Sequence, residues 1–442
     1  MSIRGLASFT HGVHPPEHKE RTEERPIERM PFPEEVVLHL SQHIGAPSVP
    51  LVSVGDRVVR GQKIADPRGF VSTALHASVT GTVKAIELRM HASGTPQPAI
   101  VIATDPYDSQ RFPEVDAVDP ASLSSEEMVA RVQQAGLVGL GGAAFPSHVK
   151  FQVPDEKKVE HVVLNGCECE PYLTCDHRIM AEKPSEVIEG VRLIMDHTGA
   201  RKGWIGVESN KPDAIDALRA AAPEDIEIVP LQVKYPQGAE KMLIDAVFGE
   251  RVRPGGLPLD LGMIVNNVGT AVALVDLLER GIPLVERVVT VTGPAIAQPR
   301  NLIVPLGTSV QEVIDYCGGL TAAARQVVLG GPMMGMSQKT LDVPVMKGTS
   351  GILCLDEQTA FVPQQEHPCI RCGRCVEACP MFLNPARLAQ LSRYDKHEAL
   401  EENNALACFE CASCSFVCPS KIPIVQWIRL GKALVRTKKA AS

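Results

Sequence analysis

A chain of 442 residues is too long for one compact core and predicts about three domains, more if some are small. Its 44% hydrophobic and 22% charged residues are ordinary for a globular protein, no run reaches the ~18 uncharged apolar residues of a spanning helix, and the opening MSIRGLASFTHGVHPPEHKE lacks the apolar core of a secretory signal, so the expectation is a cytoplasmic chain. A net charge of −8 with only 4% aromatic residues speaks against nucleic acid as a partner, because phosphate binding needs a basic face and base binding needs stacking rings.

From about residue 32 to 105, apolar and polar residues alternate over short strands, with turn signals at Val54–Asp56 and at Arg60 and Gly61. The segments LVSVGDRVVRGQKIA and LHASVTGTVKAIE resemble a barrel-sandwich hybrid of the biotinyl or lipoyl carrier type. The hairpin tip lacks the lysine signature that such carriers modify, so residues 1–115 are read as an N-terminal extension followed by a structural barrel-sandwich domain. The pattern changes near residue 120. Ser124 and Glu127 form a capping box for a helix through about Gln134, closed by Gly136. The apolar runs VEHVVLNG, KGWIGVES and IEIVPLQV then alternate with helical stretches, the rhythm of an α/β domain with a largely parallel sheet over 116–280.

Within that domain the loop GLGGAAFPSHVKF (139–151) clusters glycines that let backbone amides approach an anion, with Lys150 as an added charge; alone, it reads equally as a tight turn. After the next strand NGCECEPY sets Glu168 and Glu170 beside Asn165, a carboxylate pair suited to cofactor recognition at a strand's carboxyl end. Cys167, Cys169 and Cys175 follow no standard ligand spacing. Residues 281–360 return to short strands, RVVTVTG and RNLIVPLG, then a helix and the strand VVLGGPMMG, a β-grasp-like order in which Cys317 and Cys354 read as buried packing.

Eight of the thirteen cysteines fall in residues 361–442. Both CIRCGRCVEACP and CFECASCSFVCP match C-x2-C-x2-C-x3-C-P, the run that wraps three thiolates around one [4Fe-4S] cluster and lends its fourth to another. Cys369, Cys372, Cys375 and Cys418 are therefore assigned to one cluster, and Cys408, Cys411, Cys414 and Cys379 to the second. Structural zinc is the weaker reading, since it has no use for the third and fourth cysteines of each run. A helical stripe at Leu388, Leu391, Tyr394 and Leu400 spaces the halves, and an amphipathic helix with Ile424, Trp427, Ile428 and Leu434 closes the chain.

The glycine loop, together with KYPQGAEKMLI, RPGGLP and VNNVGT, resembles the flavin-binding fold of the NADH-oxidising subunit of respiratory complex I. End to end, the chain is similar to the RnfC family of the ion-translocating Rnf electron-transport complexes, including the opening GVHPPEHKE. That resemblance implies that Gly139, Gly141, Gly142 and Ala143 bring amides to FMN and that Lys150 lies near its ribityl or phosphate oxygens. Asn165 and Glu168 would border the isoalloxazine, Asn266, Asn267 and Thr270 would receive the phosphate, and Tyr235, Gly238 and Glu240 would line the nucleotide pocket. Phe145 is the candidate stack for NADH, and Glu168 and Glu170 are the candidate catalytic carboxylates. The implied protein is the NADH-facing subunit of an ion-translocating NADH:ferredoxin oxidoreductase, held peripherally on the cytoplasmic face of the inner membrane by partner subunits, with ferredoxin or a ferredoxin-like subunit as electron partner. A flavin suits it because NADH gives up two electrons as hydride while each cluster takes one. Four positions depart from the complex I pattern: Leu140, Ala144, Cys167 and Ala239. They support a competing expectation, an iron-sulfur relay with a degenerate flavin site.

Overall fold

The computed structural model describes residues 6–113, 119–361 and 365–441. The first strand, β1 (Ile27–Arg29), belongs to a sheet made much later in the chain. Strands β2 (Glu35–His39), β3 (Val49–Pro50), β4 (Arg57–Val58), β5 (Lys63–Asp66), β6 (Leu75–His76), β7 (Gly81–Met90) and β8 (Pro96–Thr104) form two small antiparallel sheets, ordered β2-β8-β7-β4 and β3-β5-β6. Alternate residues point inward, so Val36, Leu38, Ile64, Val83 and Ile102 are fully buried between them.

The α/β module opens on α1 (Ser125–Gln134), whose capping box at Ser124 and Glu127 is formed as the sequence predicts. The short α2 (Ser147–Phe151) follows the glycine loop. The remaining elements are β9 (His161–Gly166), α3 (Cys175–Glu182), α4 (Pro184–Thr198), β10 (Lys202–Glu208), α5 (Pro212–Ala221), β11 (Ile226–Leu231), α6 (Glu240–Phe248), β12 (Met263–Asn267) and α7 (Val268–Arg280). All strand pairings are parallel, in the order β11-β10-β9-β12. The chain thus steps one way from β9 to β10 and β11 and returns on the other side with β12. This leaves a topological switch point between the carboxyl ends of β9 and β12, where open α/β sheets bind ligands.

The third module holds β13 (Glu286–Thr292), β14 (Arg300–Pro305), α8 (Val310–Tyr316), β15 (Ala324–Leu329), β16 (Met336–Ser337) and β17 (Gly351–Asp356), a mixed sheet that β1 extends by pairing parallel to β14. The last module is helical: α9 (Arg374–Glu377), α10 (Pro385–Arg393), α11 (His397–Glu402), α12 (Ser413–Phe416) and α13 (Ile424–Ala441). Leu388, Leu391, Leu400, Ile424 and Ile428 form its core, but Tyr394 does not join them. Asp395 adopts φ +50° and breaks the expected stripe into two helices, leaving Tyr394 73% exposed. No helix among the described residues is long and apolar enough to cross a membrane.

The N-terminal extension runs across three of these modules. Ala7 bridges Leu231 and Val13 bridges Tyr235 in the α/β module. Gly12 donates to the Ala378 carbonyl of the helical module. Lys19 is buried and donates to the carbonyls of Glu168, Glu170 and Leu173, and Arg21 donates to those of Gly293 and Ile296 in the third module.

Candidate cofactor sites

At the switch point lies a cavity of about 500 Å³, a volume suited to a flavin nucleotide's reactive end. Among the residues that the sequence singled out, Gly139, Gly141, Ala143, Phe145, Lys150, Asn165, Gly238, Glu240, Asn266 and Asn267 line it. Leu257, Pro258 and Leu259, from the RPGGLP turn and the residues after it, add an apolar wall. The glycine loop is closed at its base by Gly139 N to Phe145 O (2.8 Å) and by Leu140 N to Thr270 Oγ1 (2.9 Å). Gly142 joins Gly141 to Ala143 at φ +100°, which a side chain resists, and a Cβ there would meet open space. The exposed amides of Gly141, Gly142 and Ala143 find no acceptor among the described residues. In the lining, the buried Asn266 Nδ2 and Ser147 Oγ also lack a partner. Buried polar atoms gain by finding partners, and these two stand where a ligand rich in oxygen and nitrogen would supply them.

The other charged groups are already engaged. Lys150 Nζ pairs with Glu240 (2.9 Å) and donates to Val265 O, setting opposite charges side by side on one wall. Asn165 Nδ2 donates to Gly238 O (2.7 Å). Asn267 Oδ1 accepts from Gly269 N to cap α7, while its Nδ2 donates to Asp176 (2.6 Å), a residue that no sequence pattern marks. Burial and the neighbouring Glu168 carboxylate push Asp176 up to about 7.

Several expected residues sit elsewhere. Glu168 accepts from the Asp176 and His177 amides and the Cys175 thiol, which starts α3, and it does not line the cavity. Glu170 accepts from the Met333 and Met334 amides of the third module. Tyr235 is fully buried, facing the helical module instead, and Thr270 serves the base of the glycine loop. The three nearby thiols diverge: Cys167 donates to Gly206 O, Cys169 accepts from Gly238 N and Cys175 donates to Glu168.

In the helical module all eight thiols are free, as are the other five in the chain. Cys369, Cys372, Cys375 and Cys418 together line one cavity of about 740 Å³, three from the first run and one from the second. Cys379 crosses the other way. It lies close enough to Cys408, Cys411 and Cys414 that, after burial, charge at one raises the pKa of another, with Cys408 pushed up to about 11. These sets match the ligand exchange that two cubanes require. Among the described residues no three His, Cys, Asp or Glu groups gather around one ion-sized point, which is compatible with a cubane because each thiolate takes its own iron. The two sites differ in access: Cys369 and Cys372 are exposed, whereas Cys379 and Cys414 are buried.

Four family models match successive stretches of the chain. Residues 7–107 match the RnfC barrel sandwich hybrid domain, 132–276 the Nuo51 FMN-binding domain, 288–337 the SLBB domain and 366–422 the 4Fe-4S dicluster domain. The chain is 46% identical to the C subunit of the Na(+)-translocating ferredoxin:NAD(+) oxidoreductase complex of Acetobacterium woodii, over 96% of each. It is 46% identical to the corresponding protein of the proton-translocating complex of Clostridium ljungdahlii, over 97% of this chain and 94% of that one. With the C subunit of the ion-translocating oxidoreductase complex of Rhodobacter capsulatus the identity is 43%, over 88% and 74%. Among solved structures, an NAD+-reducing [NiFe]-hydrogenase in the H2-reduced state superposes with a TM-score of 0.51 at 20% identity, over 72% of this chain and 62% of that one, a likeness of fold alone.

Proposed function

Since this chain belongs to the RnfC family of ion-translocating oxidoreductase (Rnf) complexes, we propose that it is the NADH-facing subunit of such a complex, exchanging electrons between NADH, FMN and two [4Fe-4S] clusters on behalf of a ferredoxin-type partner. The observation that carries this reading is the presence, in one chain, of a switch-point cavity with unpartnered polar groups and two cysteine sets completed across runs. Bound flavin supplies the conversion between a hydride pair and single electrons.

The chain's own residues orient and insulate. Amides of Gly141, Gly142 and Ala143, with the N-terminus of α7 behind them, suit the phosphate; Asn165 and Gly238 form the wall toward the helical module; Phe145 and the Leu257–Leu259 turn shield the cavity from water. Lys150 and Glu240, as a neutralised pair, add hydrogen-bonding capacity without a net field. Glu168 and Glu170 act through structure, the first on α3 and the second on the Met333 loop. The departures from the complex I pattern leave the cavity usable. Leu140 contributes its backbone, Ala144 is buried outside the cavity lining, Cys167 points at Gly206, and Ala239 stands at the N-cap position of α6 without a side-chain bond. Attachment to the cytoplasmic face through membrane-spanning partners follows from the same reading, the chain itself offering no spanning helix among the described residues.

Anaerobic reconstitution tests it. One flavin and two clusters' worth of iron and sulfide are expected per chain, and NADH is expected to bleach both chromophores; zinc in place of iron, or flavin that NADH cannot reduce, contradicts the proposal.

A further inference from the structure

The two cysteine sets stand in different relations to the flavin cavity. Residues flanking the Cys379/Cys408/Cys411/Cys414 set build the seam with the α/β module. The Ala378 carbonyl accepts from Gly12 N (3.3 Å), and the Cys411 carbonyl accepts from Tyr235 Oη (2.9 Å). Val13, Tyr235 and Ala378 form a buried apolar knot against which Cys169, Met333, Cys411 and Val417 pack. From the cavity side the same knot is reached through bonded groups: Asn165 donates to Gly238 O, and Gly238 N donates to Cys169 Sγ (3.3 Å). Cys169 and Cys411 therefore rest against one tyrosine, the first tied to the cavity wall and the second a cluster ligand. The Cys369/Cys372/Cys375/Cys418 set meets the knot through the side chain of Val417, beside Cys418, makes no hydrogen bond to the α/β module among the described residues, and opens outward, with Cys369, Ile370 and Cys372 exposed.

We propose that Tyr235 is a positioning residue for electron exchange: by holding the Cys411 carbonyl against the α/β module, it makes the buried cluster the flavin's immediate partner and the exposed cluster second in line. The inference rests on the reading that the cavity holds flavin. The electron count fits a serial order. NADH and two oxidised clusters give NAD+, one proton and two singly reduced clusters, so the inner cluster passes its first electron outward before it accepts the second. Tyrosine is suited to the post because its ring is rigid and apolar while its hydroxyl reaches a single acceptor.

The full-length protein loaded anaerobically with flavin and both clusters can be mixed with NADH and freeze-quenched for electron paramagnetic resonance, with and without a dysprosium chelate. The chelate accelerates spin relaxation of the exposed cluster and spares the buried one. In samples that trap a flavin radical beside one reduced cluster, pulsed dipolar spectroscopy is expected to give the shorter distance to the chelate-insensitive cluster; a shorter distance to the chelate-sensitive cluster overturns the proposal. In Tyr235→Phe, which keeps the ring, hydrogen exchange of amides around Cys411 is expected to rise about fivefold, the population equivalent of one neutral hydrogen bond, and the lag between flavin bleaching and the first cluster signal is expected to lengthen. Parental exchange and parental lag in that variant overturn the role of Tyr235. Should the variant fail to fold, the distance measurement on the parent still decides the order. A parent that retains no flavin contradicts the functional reading itself, whereas retained flavin lying nearer the exposed cluster contradicts only the order proposed here.

Discussion

Glu170 is a half-buried carboxyl group held by the amides of Met333 and Met334. Burial outweighs those two donors and lifts its pKa from 4.5 to about 7. The folded protein then keeps a proton that the unfolded chain gives up, so this group's share of stability is whole below pH ~4.5, drains away as the pH climbs to about 7 and stays lost above it. Glu170→Gln, which retains one acceptor and loses the other, is expected to be about 1 kcal/mol less stable than the parent at pH 5. The gap should narrow toward pH 8, as measured by paired urea unfolding curves; a gap that widens contradicts the assignment. That Glu168 and Glu170 are special is legible in NGCECEPY. What they bond is not, because the partners of Glu170 lie more than 160 residues away. Asp176 and Lys19 are illegible for the same reason: a lone acid after a cysteine and a lysine in a polar opening carry no periodic signal, and only the folded chain brings Asp176 to Asn267 and Lys19 to three carbonyls.

Helices α4 and α7 cross without room for a side chain at Gly190. A Cβ there would stand 2.6 Å from both the Cβ and the carbonyl oxygen of Ala271. Intrinsic preference favours alanine over glycine inside a helix by about 1 kcal/mol, yet the facing element here is backbone and cannot swing aside. Gly190→Ala is therefore expected to lower stability by roughly 1–3 kcal/mol, read as a fall in the thermal midpoint, and a rise would show that the crossing relaxes at no cost. The helices themselves are readable from their stripes and caps, and so is the parallel sheet from its alternation with them. The crossing is not, since no local pattern states which face of α4 meets α7. The stripe through Tyr394 misleads for a related reason: period alone does not reveal a left-handed residue such as Asp395.

At the scale of the molecule, Lys347 ties three modules together. Its buried amine donates to the carbonyls of Ala74 (3.0 Å) in the barrel sandwich and Gly136 (2.7 Å) in the α/β module, and burial lowers its pKa to about 7. Lys347→Ala leaves two carbonyls without that donor and is expected to cost roughly 1–3 kcal/mol, with faster limited proteolysis between modules; an unchanged cleavage pattern would mean that apolar contacts alone hold the junction. The cysteine array is fully legible because each run carries its own short, regular spacing, whereas the seams join segments from opposite ends of the chain. The N-terminal extension is the extreme case. Arg21 reaches Gly293 across 272 residues, and Gly12 meets Ala378 later still. During translation, residues 7–29 leave the ribosome long before their partners exist, so they must wait unpaired while the middle of the chain folds, and the assembly can lock only when the last cysteines emerge.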